Sequence, residues 1–152
     1  MRSETTMERD GGFSMVELVV VLTIISILIA IAIPTVLGFR RAAQDRAVQT
    51  DLRNALVAEK TYWLEHETHT QNGADLTQYQ TGAAFAADPA DGVYLDLNNA
   101  DSDIVCMVRT SESGNTFSIW EHPTAGTFYG ATDLSLADCT AAPPVGYRTD
   151  GF

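Results

Sequence analysis

A single carboxylate, Glu17, stands at the head of the most apolar segment of this chain. The segment runs from Leu18 to Phe39, which is 22 residues without a charged side chain. An ionised acid at the centre of a membrane-spanning helix costs about 2.5 to 3.5 kcal/mol, although an acid at the edge of the span can reach water. Glu17 therefore needs either an opposite charge or a route to solvent, and its position alone does not make it functional.

The two cysteines, Cys106 and Cys139, are the second set of residues with chemistry of their own. Both follow the apolar segment, and an even number of cysteines beyond a membrane segment suggests a disulfide in an oxidising compartment. The chain has no CxxC motif and no Cys/His pair at zinc spacing. We expect a disulfide in an exported part of the protein, and two free buried thiols are the alternative.

Three aspartates, Asp96, Asp101 and Asp103, together with Asn98 offer oxygen atoms that Ca²⁺ could use. Their spacing lacks the glycine and the final glutamate of an EF-hand loop, so a solvated turn is the favoured interpretation and no metal is predicted. The stretch His66-Glu67-Thr68-His69 is one residue short of the H-E-x-x-H zinc motif, and a frayed helix end is expected there.

Motifs of catalysis are missing from the sequence. It has no phosphate-cradling glycine-rich loop and no G-x-S-x-G elbow. We therefore predict neither an enzyme nor a cofactor.

The charges are distributed unevenly along the chain. Residues 1–53 hold six arginines and six acids, whereas residues 54–152 hold three cations and fourteen acids, which accounts for the whole net charge of −11. An acidic distal part keeps a protein soluble and argues against direct binding of nucleic acid. At 152 residues the chain can form one modest domain beside the apolar segment.

The apolar segment is long enough to cross a bilayer as a helix, which takes about 20 residues. A cleaved secretory signal would place its cut near Ala30-Ile31-Ala32, but such a signal has a basic start and a shorter apolar run. A plain single-span anchor that displays an acidic binding domain fits the length. That anchor leaves the glycine pair before Phe13 unexplained.

The start of the segment, Gly12-Phe13-Ser14-Met15-Val16-Glu17, is followed by an aliphatic run that ends in Ala32-Ile33-Pro34. It resembles the class III signal of the type IV pilin and pseudopilin family over residues 11–34, with a looser likeness to about residue 63. The resemblance implies that a prepilin peptidase cuts between Gly12 and Phe13 and methylates the new N-terminus. The leader, residues 1–12, nets −1 where the family is usually basic, and a start at Met7 does not change this.

The resemblance also implies a partner for Glu17, which becomes the fifth residue of the mature chain. Cleavage exposes an ammonium at Phe13, and an unpaired charge in an apolar setting is expensive. We expect the Phe13 ammonium of a neighbouring subunit to pair with Glu17 and to set the axial register of a filament. The alternative is a Glu17 side chain that extends to the lipid headgroups.

A helix from Phe13 to about Leu64 would have about 52 residues and a length of about 78 Å. Pro34 and Gly38 are its predicted weak point, because proline costs about 3 kcal/mol and glycine about 1 kcal/mol inside a helix. After Arg41 the pattern becomes amphipathic, and the predicted buried face carries Val48, Leu52, Leu56 and Trp63. Tyr62 and Trp63 are expected to lie under a sheet.

Residues 66–91 are predicted to form a loop, and four strands follow. They are expected at 93–97, 104–109, 116–120 and 127–129, as an antiparallel meander with one face for the helix. Cys106 shares its parity with Ile104 and Val108, so we expect it to face inward. There its bond to Cys139 would fix the C-terminal tail.

These features together predict an α+β protein: a leader at 1–12, a helix at 13–65 whose polymerising span is 13–39, and a globular part at 66–152. The predicted function is a structural subunit of a type IV pilus, and a pseudopilin of type II secretion or of a competence pilus is the alternative. By resemblance the partners are further copies of the chain, a prepilin peptidase, a platform membrane protein and an assembly ATPase. The precursor is expected in the cytoplasmic membrane, N-terminus inside and globular part outside, before it enters an extracellular pilus.

Overall fold

A computed structural model describes residues 12–79, 82–98, 100–131 and 139–152. The helices are α1, Met15–His66, and the short α2, Gly73–Leu76; the strands are β1, Tyr94–Leu97, β2, Val105–Thr110, β3, Thr116–His122, and β4, Gly126–Ala131. The strands form one sheet in the order β1-β2-β3-β4, and every neighbouring pair is antiparallel. The predicted α+β class, with a long N-terminal helix and an antiparallel meander, is confirmed.

The chain divides into two compact units, Met1–Phe39 and Arg40–Phe152. Most of the predicted leader, residues 1–11, lies outside the described residues. In the first unit every side chain from 12 to 39 is exposed. By length and composition α1 contains one candidate membrane span, near the N-terminus.

Polar side chains within the apolar segment bond to the helix itself. The hydroxyl groups of Thr23 and Ser26 donate to carbonyl oxygens one turn earlier, at 2.8 and 2.7 Å. Thr35 does the same next to Pro34, at 3.3 Å from the carbonyl of Ile31. Because a membrane interior offers no water, such internal bonds make the segment compatible with lipid. Helix α1 continues through Pro34, and melting of residues 30–40 stays a prediction for the packed filament.

The second part of α1 packs on one face of the sheet. Val48, Leu52 and Leu56 are buried, as the amphipathic pattern predicts, and Ala55 and Ala58 fill the spaces between them. The sheet contributes Val93, Leu95, Val105, Met107, Phe117 and Ile119 to this core.

The opposite face of the sheet is also covered, and here the prediction for Cys106 needs correction. Cys106 is fully buried, but it does not face the helix: it packs with Ile104, Trp120 and Cys139 in a separate cluster. In β2 the residues facing α1 are Val105 and Met107. The sequence could not place Cys106 because β2 is apolar at consecutive positions, so alternation cannot tell which side of the strand meets the helix.

The C-terminal tail covers this second face and then turns around the edge strand β4. Tyr147 lies against Gly130, where a Cβ atom would come within 2.6 Å of the ring, and its hydroxyl lies 2.5 Å from that of Ser118. Arg148 pairs with Tyr129 of β4 through two backbone hydrogen bonds. Phe152 then reaches the helix side of the sheet and packs edge-to-face on Phe117 and Tyr129.

The helix ends at His66, followed by Glu67 with φ of 55°. The expected frayed end was only partly right, because His69 is buried and its Nδ1 lies 3.0 Å from Oε2 of the fully buried Glu59. Trp63 was expected to lie under the sheet, but it does not join the core there. It lines a cavity of about 210 Å³ beside His69, and its indole nitrogen has no hydrogen-bond partner among the described residues.

The β2–β3 turn is fixed to α1 by Asp45. This carboxylate accepts hydrogen bonds from the Ser113 hydroxyl and from the Asn115 amide, the latter at 2.8 Å. Burial raises the pKa of Asp45, but the bonds from Ser113, Asn115 and Ser111 outweigh burial, so the pKa ends below its ordinary value of 3.8. Asp45 in its ionised form therefore stabilises the contact between the turn and the helix.

Replacing Asp45 by alanine is expected to lower the free energy of unfolding by about 1 kcal/mol at neutral pH, since charge-assisted hydrogen bonds at a partly exposed site are lost. A lowered folded pKa means that this contribution is present above pH 3.8 and is lost as the pH falls through the folded value. Urea unfolding at pH 7 and pH 3 measures both effects. The control is Asp91→Ala, which also removes one acid but at an exposed position. Equal free energies of unfolding of the Asp45→Ala and Asp91→Ala variants at pH 7 would contradict the prediction.

Candidate functional site

The start of α1 is fixed by a reciprocal pair of hydrogen bonds between Ser14 and Glu17. The backbone N–H of Ser14 donates to Oε2 of Glu17 at 2.9 Å, and the backbone N–H of Glu17 donates to the Ser14 hydroxyl at 3.2 Å. This is a capping box, in which the side chains at the N-cap and N3 positions satisfy each other's free N–H groups. It makes Ser14 the last residue before the helix.

The capping box leaves the Gly12–Phe13 peptide bond outside the helix. Residues 12–14 are non-helical, and Phe13 is 84% exposed. A Cβ atom built on Gly12 would meet nothing within 4 Å, so the fold itself does not demand glycine there. Exposed, non-helical backbone is where proteases cut most readily. The bond between Gly12 and Phe13 is thus accessible, and the glycine calls for an explanation other than packing.

Sequence reasoning missed the role of Ser14. The signal was present, because a serine three residues before a glutamate and just ahead of an apolar run is the usual mark of a capping box. Glu17 can therefore cap its own helix or pair with a charge on another subunit, and the sequence did not distinguish these two roles. One of its carboxylate oxygens caps the helix, and no described residue bonds to the other, Oε1.

The predicted disulfide between Cys106 and Cys139 is present and joins positions that are 33 residues apart in sequence. It is held in place by bonds around Cys139, whose carbonyl accepts from the Asn98 amide and whose N–H donates to Asp96 at 3.4 Å. Trp120 donates its indole N–H to the next carbonyl, that of Thr140, at 2.9 Å. The bridge therefore ties the beginning of the tail to the outer face of the sheet.

The acids considered for Ca²⁺ have separate hydrogen-bond partners. Asp96 accepts from Gln71 and from the Cys139 backbone. Asp101 accepts from the backbone N–H of Asp103 at 3.0 Å and lies 3.7 Å from His122. Among the residues that the structure describes, no group of three or more His, Cys, Asp or Glu side chains is arranged to hold a metal ion.

Comparison with known proteins finds a family profile and several relatives. The profile described as "Prokaryotic N-terminal methylation motif" matches residues 7–33. Over 137 residues the chain is 28% identical to the type IV wide pilus major component PilA4 of Thermus thermophilus, which covers 90% of this chain and all of that protein.

Two further relatives match shorter parts of the chain. The chain is 41% identical over 68 residues to the competence protein ComGC of Bacillus subtilis, which covers 44% of this chain and 68% of that protein. It is 33% identical over 70 residues to the type IV major pilin protein PilA of Myxococcus xanthus, which covers 46% of this chain and about a third, 32%, of that protein. The residues matched by the family profile, 7–33, include the capped start of α1.

Proposed function

We propose how this chain is processed and assembled. The proposal starts from the premise that the chain belongs to the type IV pilin and pseudopilin family. The chain is a structural pilin subunit, as its relatives and its helix-and-sheet architecture show. The observation that carries the proposal is the capped start of α1. An accessible Gly12–Phe13 bond stands directly before a helix whose apolar side chains up to residue 39 are exposed.

The first proposed step is processing of the precursor. A prepilin peptidase cuts between Gly12 and Phe13 and methylates the amine of Phe13. The capping box supports this step, because it holds the bond outside the helix and within reach of an enzyme. Cleavage removes residues 1–12 and leaves Ser14 and Glu17 in place to start the mature helix.

Before assembly the precursor is held in a membrane by its apolar segment, which the candidate span within α1 and the pilin relatives support. We propose that the N-terminus lies on the cytoplasmic side and residues 66–152 on the outside. The Cys106–Cys139 disulfide fits this orientation, since such bonds persist in oxidising compartments. A platform membrane protein and an assembly ATPase then move subunits into the filament, and the protein itself needs no catalytic activity or cofactor.

The proposed assembly step uses the second task of Glu17. In the filament, Oε1 of Glu17 faces the Phe13 ammonium of a neighbouring subunit while Oε2 keeps the helix capped. The uncovered aliphatic side chains of residues 18–39 supply the apolar contact area between subunits. Pro34 and Gly38 let the helix loosen locally where packing favours an extended backbone.

Intact-mass analysis of the protein from its native membrane is expected to show a chain that starts at a methylated Phe13. Gly12→Val is expected to abolish cleavage without harm to the fold, because nothing within 4 Å of Gly12 would meet the new side chain. The control is Gly38→Ala, another glycine with open space around it, which should be cleaved like the wild type. A wild-type chain that keeps residues 1–12, or that starts at Ile33, would contradict the proposal.

The second candidate function is a pseudopilin of a competence pilus or of type II secretion, and the similarity to ComGC favours it. Electron microscopy of the cell surface, with a label on the exposed residue Val145, separates the two roles. Long labelled surface filaments support the pilus subunit, and short or absent filaments support the pseudopilin. A plain single-span anchor would instead stay monomeric in detergent and uncut at Gly12.

A further inference from the structure

A row of exposed side chains follows the part of α1 that lies in the sheet-containing unit. These residues, spaced alternately four and three apart, form what we call the basic stripe: Arg46, Thr50, Arg53, Val57, Lys60 and Leu64. All six are exposed, and the two large apolar members, Val57 and Leu64, are 58% and 74% exposed. The buried face of the same helix, with Val48, Leu52 and Leu56, is a separate row that its own sheet covers.

The basic stripe carries three cations and no acid in a chain whose net charge is −11. Arg46 has no acid within ion-pair distance among the described residues. Arg53 lies over the ring of Phe152, 5.6 Å from its centre, and Lys60 pairs with Glu121 at 3.1 Å. Its ammonium also donates to the Thr127 hydroxyl at 3.0 Å, and the Lys60 side chain as a whole is 47% exposed.

The spacing and composition of the stripe are those of a protein contact. Alternating steps of four and three residues keep side chains on one side of a helix over several turns, here about 27 Å from Arg46 to Leu64. Exposed apolar side chains flanked by long cations are common at interfaces, where the cations both pack and pair. Arg53 and Lys60 are already ordered by their own contacts, which lowers the entropy that binding would cost.

We propose that the basic stripe is a lateral contact surface for the acidic sheet-containing unit of a second copy of this chain. The complementary charge is present on every copy, since residues 54–152 hold fourteen acids against three cations. Exposed acids such as Asp88, Asp91 and Glu112 lie outside the stripe, so the contact joins two different patches and is head-to-tail. A repeated head-to-tail contact that does not close produces a helical filament. This inference rests on the proposed function and adds to it a second contact, outside the apolar segment.

Lys60 is the chain's single lysine, which allows a direct test in assembled filaments. Filaments grown from equal amounts of ¹⁴N and ¹⁵N chains are treated with a zero-length carbodiimide, which joins an amine to a carboxylate in contact with it. Peptide mapping is expected to find Lys60 joined to an acidic peptide of the other isotope. If filaments form and every Lys60 link joins peptides of the same isotope, as the Lys60–Glu121 pair of one chain would give, this inference fails while the proposed function stands. If no filaments form, both fail.

A charge reversal supplies an independent readout. Arg46→Glu is expected to lower the ratio of sheared filaments to processed subunit about fivefold at low salt, and less at high salt. Arg148→Glu is the matched control, because it changes the net charge equally at an exposed residue outside the stripe, whose side chain pairs with Asp150. If the stripe instead faces anionic lipid headgroups, Arg46→Glu leaves filament yield unchanged and Lys60 gives no mixed-isotope link, which overturns the proposal.

Discussion

Replacing Glu17 by alanine is expected to leave membrane insertion and cleavage after Gly12 intact and to lower the yield of surface filaments by about a hundredfold or more. Removal of the acid makes the segment more apolar, which favours insertion. In the filament, however, the Phe13 ammonium of a neighbour loses its partner. Stranding one charge of a desolvated pair costs about 3 to 5 kcal/mol, and each added subunit meets that cost.

The capping box provides the matched variants that this test needs. Glu17→Gln removes the charge but keeps a side chain that can cap, because glutamine also serves at the N3 position. Ser14→Ala removes one half of the capping box, at a cost of about 1 kcal/mol, and keeps the charge. We expect Glu17→Gln to assemble as poorly as Glu17→Ala, and Ser14→Ala to assemble nearly as well as the wild type.

The readout is the ratio of sheared filament to processed, membrane-held subunit in cells that make only the variant. Normal filament yield from Glu17→Gln, together with poor yield from Ser14→Ala, would show that capping is the essential task of this site. Pairing of Glu17 with a neighbouring ammonium would then be wrong. Retention of the leader in either variant would instead place the defect at processing.

Removing the disulfide is expected to give the largest loss of stability in the sheet-containing unit. In the chain-entropy model, a bridge between positions 33 residues apart stabilises by about 3 to 4 kcal/mol. For a unit of this size, that change corresponds to a fall in melting temperature of about 10 °C or more. Cys106→Ala with Cys139→Ala is preferred over serine, because both positions are buried and a hydroxyl there would need a partner.

Near-ultraviolet circular dichroism of the full chain in detergent follows this unfolding through Trp120, which packs in the same cluster as the bridge. Val145→Ala is the control, since Val145 belongs to the same tail and is 98% exposed. Its melting temperature should equal that of the wild type. A double alanine variant that melts within about 2 °C of the wild type, a fifth of the expected fall, would refute the stabilising role assigned to the bridge.

Local sequence was sufficient to predict the N-terminal features. The N-terminal motif consists of a glycine, an aromatic residue, a glutamate and a long apolar run, all within a few helical turns. The relatives confirm the family that this motif indicates. The buried positions Val48, Leu52 and Leu56 of α1 followed from a period near four, whereas Trp63 did not join the core. All four strands followed from alternation and turn residues. The cysteine pair was also predictable, because the chain offers no other partner for either residue. The capping role of Ser14 was not predicted, although its position three residues before Glu17 fits a capping box.

Tertiary structure alone decided which groups meet across the sheet-containing unit. The side of the sheet that Cys106 occupies could not be derived, since β2 is apolar at consecutive positions and suits burial on either side. Burial of Glu59 depends on His69, ten residues later, beyond the end of the helix. The tail's turn around β4 depends on contacts such as Tyr129 with Arg148. Such contacts join residues distant in sequence, and the hydrophobic effect that drives them is non-directional, so only the complete packing of the chain selects them.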